Sequence, residues 1–305
     1  MIRRLLAITA ALLVTGCVTP ALDGQVDVHD RLSHAKPHGK DTFSVLTLNL
    51  AHGRGNGLHQ ALQGQQTARE NLDRIAAFLR TVGPDVVALQ EADGPSTWSG
   101  GFDHVVWLAG ESGYPWASHG AHVRGLGLEY GTALMSRLEK TGRRSHTFPP
   151  GLTAPPKGYT HATMRGPRGR LVDVVSLHLD PMGRGRREAQ LAVIRQHFAD
   201  RARPLVIMGD FNAQWDAGSS ELAQFADAMG LSTWQPDADH LITFPRMERR
   251  LDWILISDEL EFVESEIHDD VLSDHRAVSA TLRFRTASPD RARTFVDMRG
   301  LPISP

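Results

Sequence analysis

Eight polar side chains stand at or beside the ends of short apolar runs, and runs of this kind are typical of buried β-strands. Four are carboxylates, two are imidazoles and two are carboxamides: Glu91, Asp210, Asp252, Asp274, His178, His275, Asn49 and Asn212. A charged group at the end of a buried strand is costly unless it pairs with another group or binds a cation. Because open α/β sheets bind ligands at the carboxyl ends of their strands, the pattern predicts a site for a metal ion and a phosphate.

Oxygen ligands of this kind suit a hard cation, so we expect Mg²⁺ or Mn²⁺ at the site. Hydrolysis at phosphorus requires that charge on the equatorial oxygens be neutralised and that a water molecule be placed in line. The metal, the carboxamides and the imidazoles would meet the first requirement, and Asp210 the second. A histidine paired with an aspartate keeps one tautomer and favours imidazolium beside phosphate.

The elements that must position these residues follow from the periodicity of apolar side chains. It predicts strands at 43–49, 86–89, 131–135, 171–179, 205–208, 251–256 and 277–284, and helices at 67–82, 103–110, 186–199 and 220–229. The segment 148–169 is rich in proline and glycine and is predicted to be a loop. Strands that alternate with helices indicate an α/β domain, and no change of composition divides residues 42–285.

Seven short motifs include all eight of these residues. They are Thr47-Leu48-Asn49, Gln90-Glu91, Tyr130-Gly131-Thr132-Ala133-Leu134-Met135-Ser136-Arg137, Ser176-Leu177-His178-Leu179, Gly209-Asp210-Phe211-Asn212, Arg250-Leu251-Asp252-Trp253-Ile254 and Ser273-Asp274-His275. Together, in this order and at these separations, they resemble the endonuclease/exonuclease/phosphatase (DNase I-like) superfamily over about residues 42–285. The resemblance implies a four-layer α/β sandwich of two mixed β-sheets flanked by helices, and a hydrolase that acts on phosphate ester bonds.

The resemblance also implies three residues for the metal. Glu91 resembles the main metal ligand, and Asn49 and Asp274 would assist it. The chain departs from several nuclease members, which have an acid two residues after the first-strand asparagine, because it has Ala51 followed by His52 at this point. The departure weakens any expectation of two metals or of nuclease activity at abasic sites.

Five further roles are implied by the same resemblance. Asp210 would orient or deprotonate the attacking water, and Asn212 would hold a phosphate oxygen. His275 would contact the scissile phosphate while Asp252 fixes its ring. His178 would bind the phosphate or protonate the leaving oxygen. Each of these residues alone also suits a turn, a cap or a satisfied core position, and their joint occurrence favours the functional interpretation.

Two other groups of residues have a functional and a structural interpretation. The first would steer a phosphate or form the solvated start of a helix: Arg184, Arg186 and Arg187. The second would form a substrate wall or pack in the core: Trp98, Trp107, Tyr114 and Trp116, with His104, His119 and His122 nearby.

The amino terminus is typical of an exported protein. Basic residues at 3–4 precede an apolar run of about 10 residues, which is too short to span a bilayer. Val14-Thr15-Gly16-Cys17 resembles a bacterial lipobox and contains the only cysteine of the chain. We therefore expect a signal peptide at 1–16, a lipid on Cys17, a flexible linker over 17–41 and a loose tail at 286–305. Because Val18 is not acidic, the outer membrane is favoured as the location.

Composition limits the classes of function. Hydrophobic residues make up 41% of the 305 residues, so a core can form. The formal net charge of −2 becomes −4 without the first sixteen residues, whereas proteins that track nucleic acid carry a basic surplus. We therefore expect a monomer that acts on a small-molecule or lipid phosphate ester. A nonspecific extracytoplasmic nuclease and a non-catalytic surface-tethered binding module are the alternatives.

Overall fold

The computed structural model describes residues 41–57, 59, 61, 64–151 and 154–286, together with two short strands near the amino terminus. The strands of the described residues are β1 (Thr19–Pro20), β2 (Asp27–Val28), β3 (Thr42–Asn49), β4 (Val86–Asp93), β5 (Trp116–Gly125), β6 (Leu128–Ser136), β7 (Glu139–Thr147), β8 (Gly158–Arg165), β9 (Leu171–His178), β10 (Leu205–Asp210), β11 (Leu231–Thr233), β12 (Asp252–Ser257), β13 (Leu260–Ile267) and β14 (Val278–Phe284). The α-helices are α1 (Gln65–Val82), α2 (His104–Ser112), α3 (Arg184–His197) and α4 (Glu221–Met229).

These strands form two mixed sheets. Sheet A has the order β5-β6-β4-β3-β14-β13, and β1 and β2 both pair with β5 at its outer edge. Sheet B has the order β11-β12-β10-β9-β8-β7. The central pair of each sheet, β3 with β4 and β9 with β10, is parallel, and its neighbours are antiparallel. Parallel central strands bring their carboxyl ends to one edge of each sheet, which is where the predicted site residues lie.

Three apolar clusters hold the layers together. The cluster between the sheets joins residues such as Val45 and Val86 of sheet A to Val174 and Met208 of sheet B. A second cluster packs the outer face of sheet A against α1 and α2, and a third packs sheet B against α3 and α4. The order helix, sheet, sheet, helix confirms the predicted four-layer sandwich.

Local signals explain the helix limits. In α1, Leu72, Ile75 and Leu79 recur at spacings of three and four and are fully buried against sheet A. The helix ends at Gly83, whose φ of 65° is a left-handed conformation that glycine adopts without steric cost. At the start of α2, the Asp103 side chain accepts a hydrogen bond from the backbone N–H of Val106.

Strand β8 corrects the predicted loop at 148–169. It lies between β7 and β9 and is buried along nearly its whole length, so pairing with neighbours on both sides outweighs the local proline and glycine signals. Strands β5, β7, β11 and β13 also went unpredicted. Their sequences carry many small, polar or charged residues, which hide the apolar period that indicates a strand.

The predicted lipidation site Cys17, the signal peptide at 1–16 and nearly all of the predicted tail lie outside the described residues. Within the predicted linker, β1 and β2 contribute two residues each to the edge of sheet A. None of the described helices is long and apolar enough to cross a membrane.

Candidate active site

Three of the predicted residues form one row across sheet B. Asp210 at the end of β10 is paired in register with His178 of β9 on one side and with Asp252 of β12 on the other. Residues directly opposite one another in a sheet project to the same face, so register alone brings these side chains together. Gly209 permits the close approach of β9, because a Cβ at this position would lie 1.9 Å from the carbonyl oxygen of Leu177.

Sheet A contributes Asn49 from the end of β3. Its side-chain N–H donates to Asp210 Oδ2 over 3.1 Å, and its Oδ1 accepts the backbone N–H of Ala51 over 2.9 Å. The other carboxylate oxygen, Asp210 Oδ1, accepts the backbone N–H of Asn212 over 2.9 Å. The carboxylate of Asp210 is thus held by hydrogen bonds from Asn49 of sheet A and from Asn212, which follows β10 of sheet B.

A β-bulge presents Glu91 to the same edge. The pairing of β4 with β6 shifts by one residue between Gln90 and Ala92, and the residue between them, Glu91, has a φ of 47°. A bulge changes the direction of a side chain, and a non-glycine residue rarely adopts a positive φ. Strained backbone of this kind is concentrated at functional sites, which supports the assignment of Glu91 to the chemistry.

His275 forms a buried pair with Asp252. Its Nδ1 lies 2.8 Å from Asp252 Oδ2, so the N–H at this atom donates to the carboxylate, while Nε2 lies 3.9 Å from Asp210 Oδ2. The ring of Phe244 packs on the imidazole with 4.7 Å between ring centroids. The second oxygen of Asp252, Oδ1, is buried with no hydrogen-bond partner among the described residues. Asp252 therefore contacts the ring of His275, and its predicted role of fixing that ring stays a prediction.

The two aspartates determine the charge of His275. Burial by itself would lower the pKa of His275, but the charges of Asp252 and Asp210 outweigh it and raise this pKa to about 10. The imidazole is therefore cationic at neutral pH. Burial raises the pKa of Asp210 to about 7, and Asp252 adds to the increase, while the charge of His275 opposes it. Asp210 therefore titrates where a general base is most effective.

His178 is neutral, unlike His275. Burial lowers the pKa of its imidazole well below the ordinary value, and the nearby charge of Lys157 lowers it further. Its Nδ1 lies 3.5 Å from the ammonium nitrogen of Lys157, and its Nε2 lies 3.4 Å from Asp210 Oδ2. An ammonium group can only donate, so this arrangement places the ring proton on Nε2, next to Asp210.

Three basic side chains surround the carboxylate of Glu91. The distances to its oxygens are 3.5 Å from His52 Nε2, 3.6 Å from Lys157 Nζ and 3.9 Å from Arg54 Nη1. Burial would raise the pKa of Glu91, but these charges lower it far below the ordinary value and keep the carboxylate ionised. Arg54 also forms an ion pair with Asp274.

A cavity of about 280 Å³ collects these groups. It is lined by Asn49, His52, Arg54, Glu91, Lys157, His178, Pro181, Asp210, Asn212, Phe244, Asp274 and His275. Seven of the eight predicted catalytic and metal residues line it, and the eighth, Asp252, lies behind His275.

Five lining residues were not predicted from the sequence as site residues: His52, Arg54, Lys157, Pro181 and Phe244. His52 and Arg54 follow the point where the chain departs from the nuclease members, so this departure was the available signal. Lys157 falls in the segment predicted to be a loop, where no periodic pattern singled it out.

The other candidate groups have mainly structural contacts. The three arginines at the start of α3 pair with acidic neighbours: Arg184 with Glu188, Arg186 with Asp180 and Arg187 with Glu221. Among the aromatic and histidine candidates, four are buried in the fold: Tyr114, His104, His119 and His122. Trp98 lies beside a residue of the cavity, because its ring is 5.0 Å from that of His52, and it also stacks on Tyr130.

The oxygen donors of this cavity fit a divalent metal. Asp210, Asp252 and His275 place ligand-type atoms within 4.8 Å of one another, but the direct hydrogen bond between His275 and Asp252 already uses two of these atoms. Glu91 is the better anchor, since its ionised carboxylate faces the cavity and its side chain is 20% exposed. Carboxylates and carboxamides are also the ligands that Mg²⁺ and Mn²⁺ prefer.

Comparison with known proteins finds a family model and curated relatives that match the sequence. The model of the Endonuclease/Exonuclease/phosphatase family matches residues 46–275. The sphingomyelinases of Mycobacterium tuberculosis and Mycobacterium bovis are 35% identical over 91 residues, which is 29% of this chain and 19% of those proteins. The chain thus aligns with about a fifth of the length of these curated relatives.

Solved structures share the fold at low sequence identity. The endonuclease/exonuclease/phosphatase from Beutenbergia cavernae has a TM-score of 0.63 and 22% identity, over 81% of this chain and 73% of its own. The corresponding protein from Bacteroides vulgatus has a TM-score of 0.60 and 18% identity, over 81% and 100%. At this identity the likeness concerns the fold.

Proposed function

Because the chain belongs to the endonuclease/exonuclease/phosphatase family, we propose that it is a divalent-metal-dependent hydrolase of phosphate esters. One observation carries the proposal: a buried aspartate, Asp210, is fixed from both sheets and lies between a cationic and a neutral histidine at one cavity. This set of groups matches needs of water attack on phosphorus, which include a base, a positive charge and a hydrogen-bond donor.

Glu91 would hold the metal, assisted by Asn49 and Asp274. When bound, the metal would neutralise charge on a phosphate oxygen and orient the ester. The strained bulge at Glu91 supports this assignment, since it fixes the direction in which the carboxylate points.

The remaining steps belong to the row in sheet B and to two residues beside it, His275 and Asn212. Asp210 accepts a proton from the attacking water, since its pKa of about 7 makes it an effective base. The imidazolium of His275 donates its Nε2 proton as a hydrogen bond to a phosphate oxygen, while Asp252 holds the opposite side of the ring. The neutral His178 donates a hydrogen bond from its Nε2–H to the phosphate or to the leaving oxygen, and Asn212 binds a further phosphate oxygen.

We propose a small-molecule or lipid phosphate ester as the substrate. The cavity of about 280 Å³ has room for one head group, and it is smaller than most drug-sized sites. The acidic balance of the chain argues against tracking of long nucleic acid. The partial match to proteins named sphingomyelinase points in the same direction.

The test is a turnover screen on the chain without residues 1–17. It compares phospholipid, sugar phosphate, nucleotide and DNA substrates with Mg²⁺, Mn²⁺ and Ca²⁺. We expect hydrolysis of a small or lipid ester that EDTA abolishes and that Mg²⁺ or Mn²⁺ restores. Full activity in metal-free buffer would refute metal dependence, and efficient turnover of DNA alone would favour the alternative of an extracytoplasmic nuclease. Absence of turnover on every substrate would favour a binding module.

We also propose that Cys17 carries lipid and anchors the protein to a bacterial membrane, with the outer membrane favoured. The sequence Val14-Thr15-Gly16-Cys17 after a short apolar run supports this location. Mass spectrometry of the mature amino terminus tests it, with Cys17→Ser as the variant that should be released or remain unprocessed. A mature chain with unmodified Cys17 would refute the anchor.

A further inference from the structure

We infer that Lys157 is an exchangeable counter-ion of Glu91: a divalent metal displaces its ammonium group from the carboxylate, and the released ammonium binds the substrate phosphate. The inference rests on the proposed function, because it assumes that Glu91 is the metal anchor. It adds Lys157 to the residues of this cavity that would bind substrate. It also implies an order of binding, in which the metal binds before the phosphate.

The position of Lys157 carries the first step. Its ammonium nitrogen lies 3.6 Å from Glu91 Oε1 and 3.5 Å from His178 Nδ1, and these are its partners among the described residues. Its side chain is only 11% exposed and lines the cavity. Lys157 therefore occupies the space between the proposed metal anchor and a histidine proposed to contact the phosphate.

Electrostatics requires that a metal and this ammonium compete. A divalent cation on Glu91 would lie within a few ångströms of Lys157 Nζ, and like charges at such distances repel strongly in a poorly solvated site. The carboxylate gains more from a divalent ion than from an ammonium group at 3.6 Å. Metal binding should therefore drive the Lys157 ammonium group away from Glu91. For the same reason, the presence of Lys157 should lower the affinity of the site for the metal.

The other basic neighbours are held more firmly than Lys157. The Arg54 guanidinium pairs with Asp274 and donates to the backbone oxygen of Gly57 over 3.1 Å. His52 Nδ1 lies 2.6 Å from Asp93 Oδ1. Both therefore stay in place when Glu91 binds a metal, whereas Lys157 has only the two longer contacts to lose.

The chemistry of lysine suits this exchange. Its ammonium is a compact charge on a flexible stem, and lysine is a common ligand of phosphate. The backbone of Lys157 is fixed, because its carbonyl oxygen accepts the N–H of Phe148 over 2.9 Å and β8 begins at the next residue, Gly158. The stem can therefore swing into the cavity from a fixed point, and the substrate phosphate is the anion that enters there.

The test uses Lys157→Met, which removes the charge and keeps an unbranched side chain. Electron paramagnetic resonance of free Mn²⁺ measures metal affinity without phosphate, and calorimetry measures the binding of inorganic phosphate to the Mg²⁺-saturated protein. We expect Lys157→Met to bind Mn²⁺ about 10-fold more tightly and inorganic phosphate about 10-fold more weakly, which is about 1.4 kcal/mol in each direction. Arg283→Met is the matched control, since Arg283 of β14 forms an exposed ion pair with Glu261 of β13 and its substitution also removes one positive charge.

The opposite signs separate the inference from a structural role. If Lys157 only stabilised the site, its removal would weaken the binding of both Mn²⁺ and inorganic phosphate. Either this result or unchanged dissociation constants for both ligands would overturn the inference. Lys157→Gln, measured in the same way, replaces Lys157→Met if the latter does not fold. If the unaltered protein binds no Mn²⁺, or binds it equally well with Glu91→Gln, the proposed metal site itself is wrong, and this outcome is distinct from failure of the exchange.

Discussion

At the scale of single residues, the candidate site depends on unequal environments for chemically similar groups. His275 is flanked by two carboxylates and stays cationic, whereas His178 is buried next to Lys157 and stays neutral. The two aspartates differ in position, since Asp210 lines the cavity and Asp252 lies behind the ring of His275. Pairs of titratable groups whose environments separate their pKa values are typical of acid–base catalysis.

Removal of the proposed base or of the imidazolium should stop catalysis without unfolding the chain. We expect Asp210→Ala and His275→Ala each to lower turnover of the substrate found in the screen by a factor of about 10²–10⁴. Steady-state kinetics together with a thermal melt measures both effects. The exposed His240 offers a control, because His240→Ala should leave the rate unchanged. Near-normal turnover in either site variant would contradict the mechanism.

The pH dependence should follow the Asp210–His275 pair. A base must be deprotonated, so kcat/KM should rise as the pH increases through about 7, where Asp210 loses its proton. The rate should fall again near pH 10, where His275 loses the charge that binds phosphate. The two limbs belong to the pair as a whole, because the groups interact. A profile of kcat/KM from pH 5 to pH 10 that stays flat at the acidic end would rule out this base.

At the scale of elements, irregular backbone places the reactive groups. Four of the non-glycine residues with positive φ lie in or beside the cavity: Ala51, His52, Glu91 and Asn212. Strands β3 and β10 lead up to the first two of these residues and to Asn212, whereas Glu91 lies at the bulge within β4. The departure from regular geometry directs the side chains of His52, Glu91 and Asn212 into the cavity. The strands therefore hold the backbone in place, and the residues with positive φ set the orientation of the side chains.

The substitution Gly209→Ala tests whether the close packing of β9 against β10 positions the site residues. We expect Gly209→Ala to lower the free energy of unfolding by about 1–3 kcal/mol, because the added Cβ would collide with the Leu177 carbonyl and push β9 away from β10. The same shift would separate His178 from Asp210, so activity should fall further than stability explains. Denaturant unfolding and kinetics measure the two effects.

Gly185 of α3 is the matched control for this substitution. A Cβ there meets no atom within 4 Å, so Gly185→Ala should change stability by between zero and a gain of about 1 kcal/mol. Equal effects of the two substitutions would show that the close approach at Gly209 does not matter.

At the scale of the whole molecule, net charge and the size of the cavity support the proposed class of substrate. The chain carries a net charge of −2, whereas binding of long duplex DNA through its phosphates releases counter-ions and favours a basic surface. Four basic side chains are grouped around this one cavity: His52, Arg54, Lys157 and His275. This distribution suits one phosphate group better than a phosphate backbone.

Salt therefore provides a test of substrate class. We expect activity on long DNA to be weak and to collapse between low and physiological salt, because few phosphates outside the cavity would be held. Activity on a small ester should change little over the same range, since its contacts lie inside the cavity. Initial rates on plasmid DNA and on a soluble ester, measured in parallel, decide the matter. Salt-tolerant cleavage of plasmid DNA without turnover of small esters would reverse the choice.

The sequence by itself determined the layers of the fold and most of the site. His178, Asp210 and Asp252 lie at the ends of apolar runs. The periodicity of such runs is a property of the local sequence, so it can be recognised without knowing which strands pair with one another. The order of the motifs then indicated the family, and with it the sandwich and the position of Asn49 and Glu91.

The tertiary structure alone decided the contacts of Lys157, Arg54 and His52 with Glu91, and the pairing that makes β8 a strand. The charges of His275 and His178 were decided there too. The physical reason is that a pKa, a bulge and a strand inside a sheet depend on neighbours distant along the chain. Local periodicity contains no information about such neighbours, whereas register and burial bring them within a few ångströms of one another.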